Sequence, residues 1–335
     1  MSFTPSRIVR STALFVAIFA GVSCSAAPQL APLPTPTPPS TATPTAAPTA
    51  TPPPATATAE PRPVGTPTLA GLRERPLAEL SEVAVRYMES RPGPIAVAVA
   101  IPDRGMIYSA NGDALFHAAS VVKVPIMLTL LERAIREGRG LTIDERTLLE
   151  LMITEGENDP AEQLWRELDD GAEVESYLHS LGLAAFDAGD AGHWTGSHVT
   201  ANELALLMAL VAGDEILDEP SRARALDLMS RVVDSQRWGI TAGAPSGSQL
   251  ALKNGWFIFE LLDITWWVNS AGVVFPARDR PVYSLAILTD QQNYMREGIE
   301  TIEGIAVLIH AALLERYPPP ATTPQPGPTV TPVKS

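Results

Sequence analysis

Proline is concentrated near the two ends of the chain, and this distribution limits where a compact fold can form. Of the 32 prolines among 335 residues, fourteen lie between residues 27 and 68 and seven lie beyond residue 317. Threonine and alanine fill most other positions there, a composition that favours extended polyproline II conformers and offers no apolar surface to bury. We therefore predict a disordered stalk over residues 25–68, a disordered tail over 318–335 and a folded domain over 69–317.

The first 24 residues have the order of features found in an export signal. Two arginines precede the apolar run of residues 13–20, and small residues follow up to Cys24, the single cysteine of the chain. The run is shorter than the roughly 20 residues that a membrane-spanning helix needs. Because the position of Cys24 resembles a bacterial lipobox, we expect export and a lipid anchor on Cys24 at the extracytoplasmic face of the membrane. An ordinary signal peptide, cleaved near Ala26 or Ala27, is the alternative.

The charge of the chain excludes one broad class of partner. Residues 69–317 contain 37 acidic and 20 basic side chains, a net charge of −17, against −14 for the whole chain. Binding to nucleic acid requires a basic surface. We therefore expect no nucleic-acid partner.

Lysine is rare in this chain, which draws attention to each lysine that is present. The sequence has three lysines against 21 arginines, and only Lys123 and Lys253 lie in the predicted domain. Arginine stays charged at any relevant pH, whereas a lysine can be tuned by its surroundings to lose its proton and act as a base. Both lysines are therefore candidates for a site.

The order of predicted elements indicates an α+β fold. Helical spacing of apolar residues predicts helices over 76–90, 120–138, 143–154, 159–168, 174–181, 200–211, 219–233 and 297–316. Alternating or continuous apolar runs predict strands over 95–101, 106–110, 251–253, 264–269, 272–275 and 282–289. Strands at both ends of the domain with helices between them indicate an antiparallel sheet flanked by helices, in three αβα layers, plus an all-helical lobe. A cleft between sheet and lobe is the expected site.

Ser120 and Lys123 form an S-x-x-K pattern at the start of a predicted helix. A spacing of three residues puts the hydroxyl and the amine on one helical face, where a neutral lysine can take the serine proton. The unpaired N–H groups of a first helical turn also favour the negative charge of an oxyanion. The alternative is a serine N-cap followed by a surface lysine, but the neighbouring residues are apolar.

Lys253, Asn254 and Gly255 follow a strand-like run and precede Trp256. If this segment is a strand, the cationic side chain of Lys253 lies close to Gly255, a position without a side chain. Gly255 would let a substrate backbone approach the strand edge, and Lys253 would face a carboxylate.

These motifs resemble those of class A serine beta-lactamases and the related penicillin-binding proteins, which are S-x-x-K, S-D-N and K-T-G. Three segments carry the resemblance, in the family order and across residues 73–316: HAASVVKVPIMLTLLE, LLELMITEGENDPAEQLW and LALKNGWF. The resemblance implies the same α+β fold as the element order.

The resemblance also implies a role for each matched residue. Ser120 would be the acylated nucleophile and Lys123 its proton acceptor, while the backbone N–H groups of Ser120 and Trp256 would form the oxyanion hole. Asn158 would hydrogen-bond the substrate amide and Lys123, and Lys253 would bind the substrate carboxylate.

Two further motif positions take supporting roles by the same resemblance. Asn254 would stand near the substrate carboxylate together with Gly255. Glu157 would brace the helical lobe, as the aspartate of the family does.

The chain departs from the family pattern in two motifs. Gly156-Glu157-Asn158 stands where the family has S-D-N, so the hydroxyl that relays a proton to the leaving nitrogen is missing, and Thr154 is a candidate substitute. Asn254 replaces a threonine or serine.

A third departure lies in the loop after the helical lobe. The family places a glutamate there to activate water, but residues 181–200 contain no glutamate. Asp187, Asp190, His193 and His198 are candidates for a replacement base, and a solvated glycine-rich loop without a base is the alternative. We expect acylation to be better supported than turnover.

The sequence thus predicts a monomeric, exported serine hydrolase that forms a Ser120 acyl-enzyme with a beta-lactam or a peptidoglycan-like amide, without a cofactor or metal. A cell-wall peptidase or esterase is one alternative. A binding module that recognises penicillin or wall fragments with little turnover is another. His117 is expected to pack rather than react. His179 and His310 are isolated on predicted helices, and no cluster has metal-ligand spacing.

Overall fold

The computed structural model describes residues 82–189, 192–259, 265–277 and 280–318. The predicted export signal with Cys24, the stalk and the tail from residue 319 onward lie outside the described residues. No helix in the described ranges is both long and apolar enough to cross a membrane.

Seven strands and eight α-helices make up the described domain. The strands are β1 (Ile95–Ile101), β2 (Gly105–Ala110), β3 (Leu115–His117), β4 (His198–Thr200), β5 (Gln249–Phe259), β6 (Thr265–Phe275) and β7 (Tyr283–Gln292). The helices are α1 (Glu82–Glu89), α2 (Lys123–Arg136), α3 (Ile143–Glu150), α4 (Asn158–Glu167), α5 (Ala172–Ser180), α6 (Ala201–Ala212), α7 (Glu219–Ser230) and α8 (Met295–Arg316).

Five strands form one antiparallel sheet in the order β2-β1-β7-β6-β5, while β3 and β4 pair separately. Strands from both ends of the domain therefore meet in one sheet, and β5 lies at its edge. The predicted α+β fold class is confirmed.

The two faces of the sheet are covered by different helices. Successive side chains along a strand point to opposite faces, so each strand contributes to both helical layers. In β1, the larger residues such as Val97 and Val99 face a core shared with α8, which supplies Ile305 among others. The alternating alanines, Ala98 among them, face the helical side. Helix α6 packs on β1 and β7 there, so the sheet is held between two helical layers.

The structure differs from the predicted elements at several places. Strand β5 is eleven residues long where only 251–253 was expected, and the helix expected over 143–154 ends at Glu150, before a π-helical turn. The two strands expected over 264–269 and 272–275 are one continuous strand, β6, in which Ser270 is fully buried and accepts a hydrogen bond from the Ile240 N–H at 3.0 Å. The short pair β3 and β4 was not expected. Ser120 lies in a 3-10 turn, Ala119–Val122, and α2 begins only at Lys123.

Candidate active site

Ser120 lies on a turn that several contacts hold in place. The preceding residue, Ala119, has a φ of 47°, in the left-handed region that costs an alanine roughly 1–3 kcal/mol. The surrounding structure fixes this conformation, because the Ala118 N–H donates to the Ser197 carbonyl at 2.9 Å. In addition, Asn269 Nδ2 donates to the Ala118 carbonyl at 3.2 Å. Ser120 is therefore presented on a turn that is fixed from two sides.

Lys123 is fully buried, and its amine meets the turn before α4. The amine donates to the Gly156 carbonyl at 2.6 Å and to Asn158 Oδ1 at 2.8 Å. Burial and the positive charge of Lys253 lower the pKa of Lys123 to about 7, while Glu157 opposes this shift. A neutral amine has two N–H bonds and a lone pair, so these two contacts leave the lone pair free to accept a proton.

The turn that carries the middle motif begins in a single π-helical turn, Leu151–Glu155, which ends at Gly156 with a φ of 77°. Glu157 and Asn158 follow and start α4. Thr154 does not supply the missing hydroxyl, because its side chain is buried and donates to the Glu150 carbonyl at 2.6 Å. The suggestion that Thr154 substitutes for the serine is therefore wrong.

Edge strand β5 passes directly against the Ser120 turn. A Cβ atom at Gly255 would lie 2.7 Å from the Ser120 backbone nitrogen and 2.9 Å from that of Val121. No side chain fits there, so glycine is required for this approach. The side chain of the next residue, Trp256, packs against Trp238, with ring centroids 6.0 Å apart.

Lys253 lies two residues before Gly255, on the same face of β5. Its side chain is fully buried, and its amine donates to Gln236 Oε1 and to its neighbour Asn254 O, both at 3.2 Å. Burial lowers the pKa of Lys253 to about 8. Because its charge also lowers the pKa of Lys123, the two amines act on one another within one site.

The Asn254 side chain holds the segment that follows α7 rather than lining an open surface. Asn254 is fully buried, and its Nδ2 donates to the carbonyls of Gln236 at 2.8 Å and Trp238 at 3.0 Å. Among the described residues its Oδ1 has no hydrogen-bond partner.

Gln236 is a site residue that the sequence reasoning missed. It lies in a 3-10 turn after α7, and its Nε2 donates to the Glu155 carbonyl at 2.9 Å, while its Oε1 accepts from Lys253. The side chain therefore links the middle motif to β5. The only feature of the sequence that points to Gln236 is the glycine at position 156, because the absence of a side chain there leaves room for the Gln236 amide.

The loop before β4 brings an indole to Lys123. The Lys123 amine lies 5.0 Å from the centre of the Trp194 ring, a cation–π distance. Asp187 Oδ1 accepts from the Gly189 N–H at 2.8 Å, and Asp187 Oδ2 lies 3.9 Å from His198 Nδ1. His193 Nδ1 lies 3.0 Å from Glu162 Oε1.

In these contacts the side chains of Asp187, His193 and His198 pair with groups other than the Lys123 amine. Asp190 lies outside the described residues. Within the described ranges, the ionisable side chains of this loop are thus engaged with one another, with a loop N–H or with α4, which favours a loop without a base.

His117 packs against other aromatic rings. Its ring stacks on Trp267 with centroids 3.6 Å apart and lies 4.2 Å from the ring of His198. Burial and the nearby His198 lower the pKa of His117 to about 4. These contacts give it a packing role.

Two further histidines, His179 and His310, are held by hydrogen-bond contacts. His310 is buried between the Tyr283 hydroxyl at 2.6 Å and the Ile240 carbonyl at 2.8 Å. His179 Nε2 lies 2.9 Å from the Phe186 carbonyl.

Comparison with known proteins gives a family and a fold. Residues 135–313 match the family described as the beta-lactamase enzyme family, a range that begins after Lys123 and includes Asn158 and Lys253. No curated protein matches the chain.

Among solved structures, that of PBP-A is 24% identical, with a TM-score of 0.61, and the alignment covers 72% of this chain and 98% of that one. A point mutant of PBP-A, solved as its acyl-enzyme complex with penicillin G, aligns with the same values. A beta-lactamase from Chitinophaga pinensis DSM 2588 is 17% identical, with a TM-score of 0.61 and coverage of 70% and 98%. At these identities, the likeness shows a shared fold.

Proposed function

Because the chain belongs to the beta-lactamase enzyme family, we propose that it is an exported serine hydrolase that forms an acyl-enzyme on Ser120 with a beta-lactam or a peptidoglycan-like amide. One observation carries this proposal. The buried Lys123 amine uses its two N–H bonds on Gly156 and Asn158 and has a pKa near neutrality, three residues from Ser120.

In the proposed reaction Ser120 Oγ attacks the carbonyl carbon of the amide, and its proton passes to the Lys123 amine. The new O–C bond forms as the carbonyl oxygen becomes an oxyanion. The C–N bond then breaks, and the ammonium of Lys123 returns the proton to the leaving nitrogen. Because Gly156 has no hydroxyl to relay this proton, Lys123 performs both transfers.

The backbone N–H groups of Ser120 and Trp256 are the proposed oxyanion donors, since Gly255 brings β5 against the Ser120 turn. Lys253 supplies the positive charge for the substrate carboxylate. The penicillin G adduct of the PBP-A mutant supports the choice of this drug as the first probe.

A second candidate function is a penicillin-recognising module with little turnover. The contact of Trp194 with Lys123 favours it, because an indole cannot activate water as a carboxylate does. In both candidates the first step is acylation of Ser120, and the fate of the adduct separates them.

We expect deacylation to be much slower than acylation, so that the acyl-enzyme with penicillin G accumulates to one adduct per chain while hydrolysed drug is released slowly, because the described ionisable side chains of the loop are engaged in other contacts. Intact-protein mass spectrometry over time, together with chromatography of the released drug, measures this. Rapid release of hydrolysed penicillin without a persistent adduct would contradict it. Asp187→Asn and His193→Gln would then show whether the loop supplies the base after all.

We expect the rate of acylation to depend on pH in a bell shape. Lys123 must be neutral to accept a proton, so the rate rises with pH through about 7. Lys253 must be charged to bind a carboxylate, so the rate falls above about 8. Because the two amines interact, the apparent pKa values of the rising and falling limbs of the pH profile describe the pair of lysines rather than either lysine alone. Acylation by a fluorescent penicillin between pH 5 and 10 tests this, and a flat profile would contradict the roles of both lysines.

Export and a lipid on Cys24 stay predictions. Mass spectrometry of the mature N-terminus, isolated from membranes of a bacterial host, would detect a lipidated cysteine at that position.

A further inference from the structure

Two departures from the beta-lactamase motifs meet at Gln236. Gly156 stands in place of a serine, and Asn254 stands in place of a threonine or serine. The Gln236 carbonyl accepts from Asn254 Nδ2 at 2.8 Å, and its side chain lies against the peptide between Glu155 and Gly156. One residue therefore contacts both altered positions.

The partners of the Gln236 amide fix its orientation. The Glu155 carbonyl can only accept a hydrogen bond and the amine of Lys253, when charged, can only donate. Nε2 therefore points to Glu155 at 2.9 Å, and Oε1 points to Lys253 at 3.2 Å. Rotating the amide by 180° would break both contacts.

A side chain at position 156 and the Gln236 amide exclude one another. A Cβ atom at Gly156 would lie 2.6 Å from Gln236 Nε2 and 2.7 Å from Oε1. The amide thus fills the space where the family serine would begin, and it reaches the lysine of the third motif.

We propose that Gln236 is a positioning residue that holds the Lys253 amine between β5 and the middle-motif turn, and thereby controls the uptake of a substrate carboxylate. The role in carboxylate uptake rests on the proposed function, whereas the contact with Lys253 does not. An amide neither gives up nor takes a proton near neutral pH. Gln236 therefore fills the space beside Gly156 without supplying the proton relay of the missing hydroxyl.

Lysine NMR tests the contact without any substrate. The chain has three lysines, so protein labelled with ¹³C-lysine gives three resolvable sets of signals, which Lys123→Arg, Lys253→Arg and Lys334→Arg assign. Gln236→Glu keeps the shape and places a negative charge beside Lys253, so the pKa of Lys253 is expected to rise by about 1–3 pH units. Gln163→Glu, on the exposed side of α4, is the control and should leave it unchanged. An unchanged pKa of Lys253 in a folded Gln236→Glu variant would overturn the proposal.

Acylation kinetics test the role in carboxylate uptake. Gln236→Ala is expected to lower the second-order acylation rate with penicillin G by roughly 10- to 100-fold, the scale of one lost hydrogen bond to a charged group. With the methyl ester of penicillin G, which lacks the carboxylate charge, the same variant should stay within about twofold of the parent. Equal losses with both compounds would indicate a merely structural role and overturn the proposal, as would no loss with either. If the parent protein itself forms no adduct, the proposed function fails, and the lysine titration still decides the contact.

A double substitution tests the mutual exclusion. Gly156→Ser alone should lower the melting temperature, because its Cβ atom would collide with the Gln236 amide and because a φ of 77° strains any side chain. Gly156→Ser combined with Gln236→Ala should lose less than the sum of the two single changes, because the collision is gone. Additive losses would contradict the shared space.

Discussion

Lys123→Ala is expected to slow acylation of the chain by penicillin G by roughly 10²- to 10⁴-fold, the usual contribution of a general base. The amine is fully buried, and its lone pair is the acceptor that we propose for the Ser120 proton. Lys123→Arg is expected to be equally slow, because a guanidinium stays charged at every relevant pH and cannot take a proton. The measurement is the rate at which the adduct mass appears at pH 7 to 8.

A loss of folding has to be separated from a loss of chemistry in these variants. Removing the Lys123 amine leaves the Gly156 carbonyl and Asn158 Oδ1 without their donor, which costs about 1–3 kcal/mol for each group that water does not reach. The melting temperature of Lys123→Ala is therefore measured alongside its rate, with Lys334→Ala as the matched control. A folded Lys123→Ala protein that acylates within tenfold of the parent would contradict the role of Lys123.

Gly255→Ala is expected to lower the acylation rate by about 10²- to 10³-fold, the effect of losing one oxyanion donor. The added methyl group would lie 2.7 Å from the Ser120 nitrogen, 2.9 Å from the Val121 nitrogen and 3.2 Å from the Ala118 oxygen. All three are backbone atoms that cannot rotate away. Either the Ser120 turn or β5 must therefore shift, and the two proposed donors, on Ser120 and Trp256, move apart.

Gly140→Ala is the control for this substitution, because nothing lies within 4 Å of a Cβ atom at Gly140. It should acylate at the parent rate. Gly255→Ala should keep its far-ultraviolet circular dichroism spectrum, since a strand accepts alanine. Acylation of Gly255→Ala at the parent rate would show that β5 does not press on the Ser120 turn as described.

The overall fold was predictable because its signals are local. The continuous apolar run of β1 indicates a strand buried on both faces, and the helical spacing in α8 indicates its buried face. The break expected in β6 fell at residues 270 and 271. Ser270 stays buried in mid-strand there because its hydroxyl accepts a hydrogen bond from the Ile240 N–H. That partner is 30 residues away and leaves no local signal.

The candidate site was predictable only in part, for the same reason. Ser120 and Lys123 are three residues apart, so their proximity follows from helical geometry. The contact between Gln236 and Glu155 joins residues 81 positions apart and depends on where α7 ends. The approach of Trp194 to Lys123 depends on the path of an irregular loop. Contacts of this kind are fixed by tertiary packing, which motif spacing does not encode.

The central claim is that Ser120 becomes acylated, and one measurement tests it most directly. The intact mass of the parent protein and of Ser120→Ala is recorded after incubation with penicillin G, and the modified peptide is then sequenced. We predict a mass increase of one drug molecule on the parent, located on Ser120, and an unchanged mass for a folded Ser120→Ala protein. An adduct that persists in Ser120→Ala, or a parent protein that gains no mass, would contradict the account.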